Sequence, residues 1–209
     1  MVLLRRALSA VALAWVCASG AHALDFGGAA VSADARYVAQ WVLDSHDNGD
    51  KPFVIVDKKD ATVFVFGAKG TLVGATPALL GFARGDHSVP GVGELAPARI
   101  PLVDRTTPAG RFDTEPGINL DGEDVTWIDY DAGLAIHRVR PGAAQQARLQ
   151  RLASATADQH RVSAGCIVLP VSFYENVLKP TLARGNGVVY VLPEMRPVRE
   201  VFGERSAAL

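Results

Sequence analysis

The sequence predicts a domain that is mainly β with a few helices, and three observations carry that expectation. From residue 53 onward the chain holds short runs rich in Val, Ile, Phe and Tyr, at 53–57, 61–66, 71–73, 126–130, 133–137 and 187–192. Such residues fit a pleated, half-buried surface. Gly, Pro, Asn and Asp punctuate the runs, as turns between strands require. Helical spacing is confined to three stretches, residues 35–43, 143–153 and 171–177.

Taken in order, the chain opens with two arginines, an apolar stretch over residues 7–18 and then Ala21-His22-Ala23. That order is the pattern of a secretory signal peptide with an A-x-A cleavage site, and the apolar stretch is too short to span a bilayer. Residues 1–23 are therefore expected to be removed, leaving a periplasmic protein that starts at Leu24. Cys17 leaves with them: Ala14, Trp15 and Val16 before it do not match the pattern needed for lipid attachment, so no membrane anchor is expected after cleavage. Residues 24–51 read as a helical lead-in, with Tyr37, Val38, Trp41 and Val42 on one side of a helix that Asn48-Gly49-Asp50 ends. Residues 52–193 read as one domain. Its first two strands are joined by Lys58-Lys59-Asp60, a hairpin-length loop. The Gly- and Pro-rich stretch 81–116 is long for a compact domain and is expected to line a groove. Residues 194–209 read as a tail, frayed from Met195 onward.

Cleavage removes 23 of 209 residues and leaves 186, enough for one good core. It also removes Arg5 and Arg6, so 19 basic residues face 22 acidic ones, a formal charge of −3. No basic field exists to bind nucleic acid. Of the two cysteines only Cys166 survives, which excludes an intramolecular disulfide and leaves an intermolecular bridge or a reactive thiol.

Spacing separates the forms of thiol chemistry. There is no C-x-x-C for redox exchange and no closely spaced Cys/His set for zinc. The acidic stretches 121–131 and 44–50 lack the alternating oxygen ligands of a calcium loop, so neither metal nor cofactor is expected. A lone nucleophile needs a histidine brought close by the fold and backbone N–H groups at a tight turn. Ser163-Ala164-Gly165-Cys166 offers that turn. Among the four remaining histidines, His137 ends the apolar strand G-L-A-I-H, a rigid place from which to aim an imidazole. His160 lies six positions before the cysteine on a loop, and His46 and His87 sit among turn residues. Position ranks His137 first.

Three elements in this order, T-P-A-G-R-F at 107–112, I-H at 136–137 and S-A-G-C-I at 163–167, resemble the signature of the L,D-transpeptidase (YkuD-like) catalytic domain family over about residues 52–193. Two features depart from that pattern. Val168 stands where the family usually has Arg or Asn, and the 25 residues between His137 and Ser163 exceed the usual interval, with the helical segment 143–153 filling the excess.

The resemblance implies an L,D-transpeptidase-like β-sandwich acting on peptidoglycan peptide stems. Cys166 would attack the carbonyl of the third stem residue and release D-alanine, and an amine would resolve the thioester into a 3-3 crosslink. Water as acceptor would make it an L,D-carboxypeptidase. Lowering the thiol from its ordinary ~8.5 to ~7 takes about 2 kcal/mol, which a nearby imidazolium could supply. His137 is then the base, Ser163 braces the turn, and the N–H groups of Gly165 and Cys166 hold the oxyanion. Arg161 and Arg138 are candidates for a substrate carboxylate by residue type and proximity.

Overall fold

The computed structural model describes residues 24–183 and 186–203; the leader, its cleavage site and Cys17 lie outside the described residues. The domain is mainly β with a few helices. The strand Phe53–Asp57 (β1) is buried along its whole length. Its sequence, F-V-I-V-D, is an apolar run rather than an alternation because both of its faces are covered. Val54 and Val56 enter one core cluster, Phe53 and Ile55 a second.

Around β1 stand Thr62–Phe66 (β2), Leu72–Pro77 (β3), Gly110–Asp113 (β5) and Val188–Val191 (β11), in the order β3-β2-β1-β11-β5, while the short Leu80–Gly81 (β4) lies apart. Within this five-stranded sheet only the β1–β11 pairing is parallel. A second sheet has the order β10-β8-β7-β6, from Glu115–Ile118 (β6), Asp124–Asp129 (β7), Leu134–Arg138 (β8) and Ile167–Leu169 (β10). The two sheets face each other across Val54, Val56, Val63, Val65, Val189 and Val191 on one side and Ile128, Leu134, Ile136, Ile167 and Leu169 on the other. Arg161–Ser163 (β9) pairs with β4 beside them.

On the outer face of the five-stranded sheet lies Ala33–Ser45 (α1), capped by Ser32 Oγ accepting from Ala35 N at 3.0 Å and closed by His46 in the left-handed region. These caps extend the helix two residues beyond each end of the predicted stretch. The predicted stretch 143–153 forms Gln145–Leu152 (α2). From Val171 one helical run continues through Val171–Phe173 (α3), a π turn at Tyr174–Leu178 and Lys179–Leu182 (α4), with Tyr174, Leu178 and Leu182 closing the end of the inter-sheet core.

The expected fraying is corrected for residues 195–203 by Val198–Phe202 (α5), while residues 204–209 of the tail lie outside the described residues. Phe202 packs its ring 5.8 Å from Trp41 and 5.9 Å from Tyr190, and Tyr37 Oη donates to Gly203 O at 2.6 Å. Apolar Val198, Val201 and Phe202 recur at helical spacing in this charged segment, and that pattern was the signal for it. The lead-in and the tail together make a helical layer over the β sandwich.

Candidate active site

The parallel pair β8–β10 sets the geometry of the site, with Ile167 opposite Ile136 and Val168 opposite His137. Ile136 and Ile167 point into the inter-sheet core. Alternation then turns Ala135, His137, Cys166 and Val168 to the other side of the sheet. Cys166 and His137 are diagonal neighbours on that face, a relation in which Cα atoms lie roughly 7–8 Å apart and long side chains can meet. Cys166 stays partly exposed. Its thiol lies 3.6 Å from Gly133 O, and among the described residues no hydrogen bond joins it to the imidazole.

Two groups lock the imidazole and the loop that carries Cys166. His137 Nδ1 donates to Arg138 O at 2.8 Å, which fixes the neutral tautomer and leaves Nε2 as the acceptor. Ser163 Oγ accepts from Gly165 N at 3.1 Å and donates to Cys166 O at 2.6 Å, bracing the turn from inside. Gly165 has φ +138°, and a Cβ there would lie 2.9 Å from Thr106 O, so the chain can approach only because the side chain is absent. Since Gly165 N–H is committed to Ser163, the expectation that it serves an oxyanion is corrected. The N–H groups of Ala135 and Cys166 lie against the sulfur and favour its anion.

Burial governs the protonation of the pair. It lowers His137 to about 4, against the pull of its bond to Arg138 O, and the charges of Arg140, Arg148 and Arg138 add to the lowering. Burial also pushes the Cys166 thiol up, more than the N–H groups and Arg140 lower it. An imidazolium that lowers the thiol is therefore replaced by a neutral imidazole beside a neutral thiol.

The arginines go elsewhere. Arg161 gives Nη1 to Glu194 Oε1 at 3.0 Å, Nη2 to the same carboxylate, and Nη2 to Lys58 O at 3.0 Å. Arg138, adjacent to His137 on the strand, points to the opposite face and meets Asp124 at 2.9 Å and Glu175 at 3.2 Å. Both expected carboxylate clamps bind carboxylates of the chain itself. His160 is also tied down, with Nδ1 3.1 Å from Ala78 O and Nε2 3.0 Å from Ser154 O, leaving no ring nitrogen to act as a base.

Two residues not singled out by the sequence hold the Cys166 loop from outside. Thr107 Oγ1 accepts from Gly81 N at 2.9 Å and donates to Gly165 O at 2.7 Å. Lys58 Nζ, with no exposed side-chain surface, donates to Thr107 O at 2.8 Å and to Asp86 Oδ1 at 2.9 Å. Burial lowers Lys58, and Asp86 and Glu194 oppose that shift. The only signal in the sequence was the threonine that opens T-P-A-G-R-F. Thr107→Val is expected to strand two buried backbone groups and cost about 2 kcal/mol in urea unfolding, with slower alkylation of Cys166, while Thr107→Ser retains both properties.

The long segment 82–106 touches the site on two sides. Its Thr106 O abuts Gly165, and Gly93 packs so closely on the 131–133 turn that a Cβ would lie 2.1 Å from Asp131 O. Val168 is buried with Leu79, Val139 and Leu152, so α2 covers the position at which the resembling family carries a polar side chain. The crossover helix occupies the space above Val168.

No protein-family model matches the sequence, and no curated protein matches it. Among solved structures it is similar to the helical cell shape determining protein Pgp2 from Campylobacter jejuni, at 15% identity and a TM-score of 0.43 over 70% of this chain and 49% of that one. It is also similar to the Ldtfm-avibactam carbamoyl enzyme, at 19% identity and a TM-score of 0.39 over 69% of this chain and 49% of that one. A third is the catalytic domain of the E. faecium L,D-transpeptidase, at 20% identity and a TM-score of 0.34 over 68% of this chain and 98% of that one. The chain spans about half the length of the first two of these structures.

Proposed function

We propose that this chain is an exported cysteine acyltransferase of the L,D-transpeptidase type, acting in the periplasm on peptidoglycan tetrapeptide stems. One observation carries the reading: a partly exposed thiol on a doubly braced turn shares a sheet face with an imidazole whose tautomer leaves Nε2 free. The motifs at 107–112, 136–137 and 163–167 supply the substrate class.

Because the imidazole and the thiol are both neutral, proton transfer and attack run together. Nε2 takes the Sγ proton as sulfur bonds to the carbonyl carbon of the third stem residue. The resulting oxyanion is served by the N–H of Cys166, a donor worth roughly 3 kcal/mol in such sites. Collapse breaks the C–N bond, and His137 returns the proton to the departing D-alanine nitrogen. An amine of a neighbouring stem then attacks the thioester, gives its proton to Nε2 and forms the 3-3 crosslink; the proton ends on the restored thiol.

Incubation with a carbapenem followed by intact mass and peptide mapping is the test. The expected result is a single adduct on the peptide holding Cys166. A folded protein that forms no adduct would instead be a catalytically silent wall-binding module. With tetrapeptide muropeptides, crosslinked dimers are expected, whereas tripeptides alone would assign an L,D-carboxypeptidase or endopeptidase.

A further inference from the structure

Arg148 lies in α2, the helix that covers the site face of the second sheet. Leu152, one helical turn further on, is buried against Val139 and Val168, the residues that flank His137 along its strand and across the register. Residues four apart on a helix share a face. Arg148 is therefore directed to the same surface, one turn of roughly 5 Å from Leu152. It is half-buried. Among the described residues no carboxylate, carbonyl or ring is paired with its guanidinium, whereas Arg138, Arg140 and Arg161 are each bound to carboxylates of the chain.

The chemistry of an acyl transfer says what belongs beside such a cation. The base that protonates the leaving nitrogen has to stand next to it, and in an amino acid the α-carboxylate carbon lies about 2.5 Å from that nitrogen, two bonds away. A guanidinium near the base is thus placed for the carboxylate of the leaving residue, and it grips a carboxylate in a planar two-point contact. The charge of Arg148 is felt at His137.

We propose that Arg148 is a specificity residue that binds the free α-carboxylate of the leaving amino acid and restricts the site to the C-terminal end of a peptide. The identity of the leaving group rests on the function proposed above; the placement of Arg148 on the face of His137 does not. It follows that a peptide whose last residue is amidated is a poor donor, although its scissile bond is unchanged.

The full chain, as wild type, Arg148→Gln and Arg148→Lys, is alkylated with iodoacetate and with iodoacetamide, an anionic and a neutral reagent of similar size, and the rate is read at the Cys166 peptide by mass. The expected result is a five- to tenfold fall in the iodoacetate-to-iodoacetamide rate ratio for Arg148→Gln, with recovery in Arg148→Lys and an unchanged iodoacetamide rate in all three. An unchanged ratio in Arg148→Gln overturns the proposal whatever the enzyme does to stems. Tetrapeptides with a free or amidated C-terminus form the second arm, in which wild type is expected to prefer the free acid at least tenfold in kcat/KM and Arg148→Gln to lose that preference. Equal use of both peptides by wild type overturns the specificity role. A fall in the alkylation ratio without turnover of either peptide supports the anion site and overturns the transpeptidase reading instead.

Discussion

His137→Gln is expected to slow acylation of Cys166 by roughly 10²–10⁴-fold at pH 7, the usual contribution of a positioned general base. The pH dependence identifies the cause. With its imidazole lowered to about 4, the wild-type base is already competent throughout the neutral range, so its acylation rate is expected to be flat between about pH 5.5 and 8. In the glutamine variant only thiolate reacts, and the rate is expected to climb about tenfold per pH unit, because burial holds the thiol above its ordinary value. A flat profile in the variant would remove His137 from the mechanism. The same lowering links folding to acid. Between an unfolded value near 6.5 and a folded value of about 4, the unfolded chain binds the extra proton. This residue's share of stability is thus complete above pH 6.5 and is lost progressively as pH falls to 4, by about 3 kcal/mol. Urea unfolding of the variant is expected to lack that component.

Glu194→Gln is expected to cost about 3–5 kcal/mol and to lower Tm by about 10 °C or more, measured by denaturant and thermal unfolding. Lys58, Arg161, Asp86 and Glu194 have side-chain exposures of 0%, 7%, 3% and 0%, and their two positive and two negative charges cancel. Replacing one carboxylate by an amide leaves a net positive charge out of water, where nothing else in the cluster can offset it. Because Lys58 also holds Thr107 O, the loss is expected to reach the nucleophile loop and slow alkylation of Cys166. A variant as stable as wild type would show that water reaches the cluster freely.

What was legible in the sequence had a local cause. The apolar runs of β1, β2, β7, β8 and β11 announced themselves because burial on both faces, or on one, writes itself as β-branched and aromatic residues. The glycine turn before Cys166 and the strand position of His137 were legible as residue types at ordered positions. By contrast, β9 and β10 are three residues each, too short for any period, and β6 contains Pro116 and Gly117, which read as turn residues. Arg161 looks like a substrate ligand in the sequence since it stands near Cys166; its carboxylate partner, Glu194, is 33 positions away, at the first residue of the expected tail. The protonation states of the pair followed from burial, which no residue spacing encodes.

The parallel pairing of β1 with β11 joins Phe53 to Val188, and β11 then bridges β1 to β5. Until synthesis has passed the last of these strands, the larger sheet lacks its interior ladder, and the partner that neutralises Arg161 has not yet emerged. Closing so large a loop before any contact rewards it makes for slow folding. The first strand of the larger sheet stays pliable until that late neighbour docks.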